Sequence, residues 1–204
     1  MQVSTSTLAP RTVLYLELVG EVMGGGQRSL LDIVTHLDPA RFRPVVVCGA
    51  PGSLVNRLEQ LHVTTLVIPM PSRKFVWNRA VHQAVSQLTE LVQRERVALI
   101  HANQLRMALY AIHVADSAKV PVIFHARITA ADVKGWWGRW LDRYLASHCQ
   151  RIIAISEIVA TRFPWLRGSQ QLQVLYNGGD LEACDGPIDR TAIRRRLGIS
   201  HDAL

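Results

Sequence analysis

Short apolar runs rich in β-branched residues alternate along this chain with longer stretches in which apolar positions recur every three or four residues. The runs predict strands near Thr12–Leu18, Pro44–Cys48, Thr65–Pro69, Ala98–His101, Pro121–His125, Arg151–Ile155 and Leu172–Leu175. The longer stretches predict helices near Gln27–Leu37, Ser53–Leu61, Asn78–Arg94, Gln104–Ala115, Val133–Ser147 and Glu157–Phe163. Turn residues punctuate the strand ends: Gly49-Ala50-Pro51-Gly52 stops the second strand and Pro69-Met70-Pro71 the third. Strand and helix in strict alternation predict a Rossmann-like, doubly wound, mostly parallel sheet of about seven strands with helices on both faces. That domain takes residues 1–180. Beyond it the rhythm breaks: Tyr176-Asn177-Gly178-Gly179-Asp180 reads as a turn, Gly186-Pro187 as a linker and Arg190–Leu197 as a short basic helix. Residues 181–204 are therefore expected to be a linker and helix leading toward a further domain.

The first strand-to-helix junction has unusual chemistry. Leu14–Val19 is followed by Gly24-Gly25-Gly26, then by the helix start Gln27–Val34. Such a junction brings backbone N–H groups and a positive helix end to a ligand that carries phosphate. A turn that merely needs φ > 0 would explain the glycines equally well. The spacing is not G-x-G-x-x-G, and no Lys-Ser or Lys-Thr pair closes the loop. A triphosphate P-loop is thereby excluded; a dinucleotide fingerprint is not supported, which leaves an oxidoreductase as a weaker reading that a bound nicotinamide cofactor would revive.

Composition narrows the classes further. Of 204 residues, 49% are hydrophobic and 19% charged, enough to bury a sizeable core. No apolar stretch approaches the roughly 20 residues that span a bilayer. Met1–Thr7 lacks the basic start and apolar block of a signal peptide. Cys48, Cys149 and Cys184 are widely spaced, which suits reduced thiols and gives no zinc site. A cytoplasmic protein is the expectation, with neither a metal nor a resident cofactor. The formal charge of +7 calls for an anionic partner such as a nucleotide sugar or a phospholipid surface, or else marks a solvated basic face. The basic residues (Arg41/Arg43, Arg73/Lys74/Arg79, Arg94/Arg96, Arg194-Arg195-Arg196) are scattered and not interleaved with aromatics, which argues against nucleic acid.

In a doubly wound sheet, ligands sit outside the carboxyl ends of the strands. Those ends carry His101-Ala102-Asn103, His125-Ala126-Arg127, Ser156-Glu157 and Asn177-Gly178. Two histidines, an arginine and two asparagines at neighbouring strand ends form a candidate cleft rim. His125 suits a donor to a sugar hydroxyl or a proton acceptor near neutral pH, and Arg127 a two-point clamp on phosphate or carboxylate. Val133, Trp136, Trp137, Trp140, Leu141, Tyr144 and Leu145 fall on one helical stripe, with Lys134, Arg139, Asp142 and Arg143 opposite. That stripe either docks on the sheet, above all at its Leu145 end, or dips Trp136 and Trp137 among lipid headgroups.

In this order and spacing, Gly24–Asp32, Leu99–Asn103, Val120–Arg127, Arg151–Glu157 and Val174–Asp180, with Arg194–Ile199 after them, resemble the N-terminal, acceptor-side domain of family 4 glycosyltransferases. The resemblance covers nearly the whole chain. It implies half of a two-domain GT-B fold and retaining transfer of a sugar from a nucleotide-sugar donor to a cell-surface glycan or lipid-linked acceptor, without a required metal. By that analogy Gly25 and Gly26 are cleft backbone beside the donor phosphates, His125 and Arg127 sit beside the transferred sugar or the acceptor, and Asn177 closes the domain junction. Together with the strand-end placement, the candidates are therefore His125 and Arg127 as catalytic residues and Gly24, Gly25, Gly26, Asn103, Ser156, Glu157 and Asn177 as substrate-binding ones. The family usually has Asn-Gly-Val-Asp or Asn-Gly-Ile-Asp where this chain has Asn177-Gly178-Gly179-Asp180. Its donor-binding second domain, with paired glutamates, does not occur in these residues. By themselves they are expected to be inactive, or to serve as a non-catalytic binding or remnant module.

Overall fold

The first apolar run, Thr12 to Glu17, is buried at every residue, as a strand covered on both faces must be. It forms β1 (Arg11–Glu17) of a seven-stranded sheet. The computed structural model describes residues 9–71, 79–129, 135–179 and 189–200. Across them the chain runs β1, α1 (Gly25–Thr35), β2 (Phe42–Cys48), α2 (Ser53–Gln60), β3 (Thr64–Val67), α3 (Arg79–Arg94), β4 (Val97–Ala102), α4 (Leu105–Ala118), β5 (Val122–Ala126), α5 (Gly135–His148), β6 (Arg151–Ala154), α6 (Glu157–Ala160), β7 (Leu172–Val174) and α7 (Arg190–Arg196).

The strand order is β3-β2-β1-β4-β5-β6-β7, and every pairing is parallel. "Mostly parallel" therefore becomes wholly parallel among the described residues. Successive side chains of a strand point to opposite faces, and the core divides accordingly. Leu14, Leu16, Val45 and Val47 pack with α3, α4 and Leu145 of α5 on one face, while Val13, Tyr15, Val46 and Cys48 pack with α1 and α2 on the other. The chain winds outward from β1 in two directions, so the order reverses between β1 and β4. There the crossover helices leave on opposite faces and a crevice opens at the carboxyl edge.

Element ends differ from expectation for local reasons. The helix read as Glu157–Phe163 stops at Ala160 and is followed by a 3₁₀ turn over Pro164–Leu166, because Pro164 supplies no N–H to continue an α-helix. α4 runs on to Ala118 and ends at Lys119 in the left-handed conformation (φ 57°), two residues before Pro121.

The larger correction concerns α5. Its buried stripe is Gly138, Asp142 and Leu145, whereas Trp136, Trp137 and Trp140 are 63%, 61% and 54% exposed. Asp142, assigned to the polar face, is buried because Arg162, just beyond α6, meets it in an ion pair at 2.5 Å. The readings of Arg73, Lys74, Val133, Lys134, Asp180, Cys184, Gly186 and Pro187, and with them the boundary near residue 180, lie outside the described residues.

Candidate functional site

β1, β4 and β5 are neighbours, so their carboxyl ends place Glu17, Asn103 and Arg127 side by side at the crevice. Glu17 is the last residue of β1 and is fully buried. Its carboxylate accepts from the N–H groups of Leu18 (2.9 Å) and Val19 (3.2 Å), from Gln27 Nε2 (3.2 Å), from Gln104 Nε2 (2.6 Å) and from Asn103 Nδ2. A buried anion survives only with such a full shell of donors.

Asn103 turns its other side to Arg127. Its Nδ2 also donates to the Gly26 carbonyl (3.2 Å), while its Oδ1 accepts from Arg127 Nε (3.0 Å) and Nη2 (2.7 Å). Nη2 also donates to Ser29 Oγ (3.2 Å) and Nη1 to Asn177 Oδ1 (3.2 Å), and Ser29 Oγ donates to that same Asn177 oxygen (3.1 Å). One guanidinium thus ties together the ends of β4 and β5, the first turns of α1 and the segment after β7. Burial lowers the Arg127 pKa to about 10, opposed by the charge of Glu17, so the group stays cationic at neutral pH.

The histidines lie beneath it. His101 Nε2 is 3.2 Å from His125 Nδ1, and Arg127 Nη2 lies 3.3 Å from the same His125 nitrogen. A guanidinium only donates, so His125 Nδ1 is the acceptor and its proton sits on Nε2. That Nε2 is buried and has no partner among the described residues. Burial, helped by the charge of Arg127, lowers His101 to about 3; burial, Arg127 and His101 lower His125 to about 2. His125 is consequently a fixed N–H donor and not a base that titrates near neutral pH.

α1 begins at Gly25. Its first helical bond runs from the Arg28 N–H to the Gly24 carbonyl at 3.3 Å, so the N–H groups of Gly25, Gly26 and Gln27 precede the ladder. The N–H of Gly24 is taken by Gln27 Oε1 at 3.1 Å. Gly26 faces the arginine: a Cβ there would stand 3.5 Å from Arg127 Cδ.

Two cavities flank the guanidinium. One, of about 530 Å³, runs from Gly26 and Gln27 past Arg127 to Leu105, Leu109, Ile128 and Leu141. The other, of about 510 Å³, is lined by Ser29, Asp32, His36, His125, Tyr176 and Asn177. Both match the size of small-molecule sites.

The structure therefore brings together Gly26, Asn103, His125, Arg127 and Asn177 of the residues picked out by sequence, with Gly24 and Gly25 at the adjoining helix start. Ser156 and Glu157 do not join them. Ser156 Oγ caps α6 by accepting the Val159 N–H (3.3 Å), and Glu157 is exposed beside a separate cavity near β7. Glu17, Gln27 and Gln104 were not picked out, although Glu17 is the one charge in an otherwise apolar strand end.

A family sequence model decides the assignment. Glycosyltransferase Family 4 matches residues 23–183. The chain belongs to glycosyltransferase family 4.

Solved structures agree on the fold of this family 4 domain. It is similar to Anabaena HepE, crystallised with UDP-glucose, with a TM-score of 0.70 and 22% identity over 92% of this chain and 50% of that one. It is similar to a glycosyltransferase from Rickettsia africae (TM-score 0.67, 12% identity, 96% of this chain and 52% of that one). It is similar also to Acinetobacter baumannii MurG (TM-score 0.53, 14% identity, 73% and 42%). The chain spans about half the length of HepE and of the Rickettsia protein. Among curated proteins, no sequence relative matches. A single Rossmann-like domain of this extent is consistent with the N-terminal half of a GT-B glycosyltransferase.

Proposed function

We propose that this family 4 domain is the acceptor-side half of a retaining glycosyltransferase that moves a sugar from a nucleotide-sugar donor to a glycan or lipid-linked acceptor. The work would take place in the cytoplasm at the inner face of a membrane, with residues 1–180 forming the domain and 181–204 leading to the donor-binding half. The observation that carries this reading is the Arg127 cluster, a cation at the sheet's switch point fixed beside the unladdered N–H groups of Gly25 and Gly26. Such an arrangement suits a leaving nucleoside diphosphate, whose negative charge grows as the sugar C1–O bond breaks. The acceptor oxygen bonds to C1 and its proton passes to the departing phosphate oxygen, so the domain need supply no titrating base. His125 Nε2–H would donate to a sugar hydroxyl, Asn103 would hold Arg127, and Asn177 would close the crevice.

The test is a transfer assay on the full gene product with a panel of UDP-sugars and membrane or glycan acceptors, reading UDP release. Transfer should appear with one donor and fall about 10²–10³-fold in Arg127→Lys, which keeps the charge but loses the fixed fork. Unaltered turnover in that variant would overturn the role of Arg127. Donor binding with no turnover toward any acceptor would instead fit a non-catalytic module.

A further inference from the structure

The first face of α5 is an anomaly for a helix that packs on a sheet. Trp136, Trp137 and Trp140 are all more than half exposed, and their rings form one contiguous ladder. Trp136 stacks on Trp137 at 4.3 Å between centroids, Trp137 meets Trp140 edge-on at 5.9 Å, and Trp140 stacks on Tyr144 at 5.5 Å. Arg143 of the same helix sets its guanidinium 5.2 Å above the ring of the partly exposed Trp165. Exposed tryptophans gathered this way mark an interaction surface.

Charge selects the partner. The carboxylate of α5, Asp142, is buried in its pair with Arg162, so the exposed ionic side chains among the tryptophans are Arg139 and Arg143. Among the described residues, the further acidic group that bears on this helix, Asp116, acts at Tyr144, toward its other end. Aromatic rings flanked by cations, on a chain of net charge +7, fit the headgroup layer of an anionic bilayer. No described helix is long and apolar enough to cross a membrane, so α5 would lie in the interface plane. The cavity beside Arg127 is also walled by Leu105, Leu109, Ile128 and Leu141, and Leu141 directly follows Trp140. α5 thus gives one residue, Leu141, to the wall of that cavity while its tryptophans face outward.

We propose that the Trp136–Trp137–Trp140 ladder of α5 seats this protein on an anionic lipid surface, turning the apolar side of the Arg127 cavity toward a membrane-borne acceptor. The inference rests on the domain's reading as an acceptor side, but its test needs neither donor nor turnover and so stands or falls separately from it. The full chain is sedimented with phosphatidylcholine vesicles, with and without phosphatidylglycerol, while tryptophan emission is recorded. Binding should require phosphatidylglycerol, shift the emission to the blue, weaken with salt, and fall about tenfold or more in the triple variant Trp136→Ala/Trp137→Ala/Trp140→Ala. Far-UV circular dichroism and thermal melting keep folding in view. A second variant, Arg139→Glu, should weaken binding with the aromatic face intact. Equal vesicle binding by the folded triple variant, or no binding by the wild type, would overturn the proposal. So would tryptophan-dependent dimerisation without vesicle binding, which would assign the face to a second copy.

Discussion

The guanidinium of Arg127 donates twice to Oδ1 of Asn103, from Nε at 3.0 Å and from Nη2 at 2.7 Å, while the same amide turns its Nδ2 to Glu17. Asn103 therefore separates a half-buried cation from a buried anion, and its amide offers an acceptor to one and a donor to the other. Asn103→Asp keeps the acceptor toward Arg127 but sets a second oxygen against the Glu17 carboxylate and the Gly26 carbonyl. It should cost about 2–4 kcal/mol in urea unfolding, more than the roughly 1–3 kcal/mol expected of Asn103→Ala. The order of the two variants is the check. Wild-type stability in Asn103→Asp would mean that the Glu17 contact does not hold Asn103.

Acid should weaken the fold earlier than its carboxylates predict. His101 and His125 are depressed to about 3 and about 2, chiefly by burial, while an unfolded histidine titrates near 6.5. Above that value both states are neutral and the histidines cost nothing. As pH falls below it the unfolded chain takes up protons that the folded one refuses, and stability declines by about 1.4 kcal/mol per pH unit for each histidine. Hydrogen bonds from Ser53 and Arg43 lower Glu21 and Glu95, so those groups act below the ordinary carboxylate range and outside this window. Denaturant midpoints between pH 7.5 and 5.5 should fall, and His125→Gln should remove about one proton from the slope.

The glycines divide into those the fold requires and those it leaves open. A Cβ on Gly20 would stand 1.9 Å from the Ala50 carbonyl oxygen, where the loop after β1 crosses the loop after β2, so Gly20→Ala should cost about 3 kcal/mol. A Cβ on Gly25 meets nothing within 4 Å. Gly25→Ala should leave the melting temperature unchanged yet weaken nucleotide-sugar affinity, since its methyl would project beside the N–H groups proposed to face the donor. Thermal melts paired with titration calorimetry separate the two effects.

Much of this was legible beforehand because a sheet covered on both faces writes itself as apolar runs, and parallel crossovers write themselves as strand–helix alternation. Asn103 and Arg127 are polar residues just past β4 and β5, and neighbouring strands bring such residues to one edge. Ser156 obeys the same rule, but β6 lies farther from the switch point and the hydroxyl is used to cap α6. Glu17 was hidden for the opposite reason. Its side-chain partners Gln27, Asn103 and Gln104 stand on α1 and just past β4, and only the folded arrangement of α1 and β4 around β1 brings them to it.

The same blindness to distant partners misplaced Asp142, and it yields a sharp expectation. Arg162 meets Asp142 through Nε at 3.0 and 3.2 Å and through Nη2 at 2.5 Å, with the arginine side chain wholly buried and its Nη1 unpartnered among the described residues. Truncation in Asp142→Ala leaves that cation in the interior without its counter-charge and should cost about 3–5 kcal/mol. The double variant Asp142→Leu/Arg162→Leu removes both charges and refills part of the volume, so it should be more stable than either single replacement by leucine. Urea unfolding of the four-member leucine cycle reads this coupling directly. Single and double costs that simply add would show that Asp142 and Arg162 are held by their packing and not by each other.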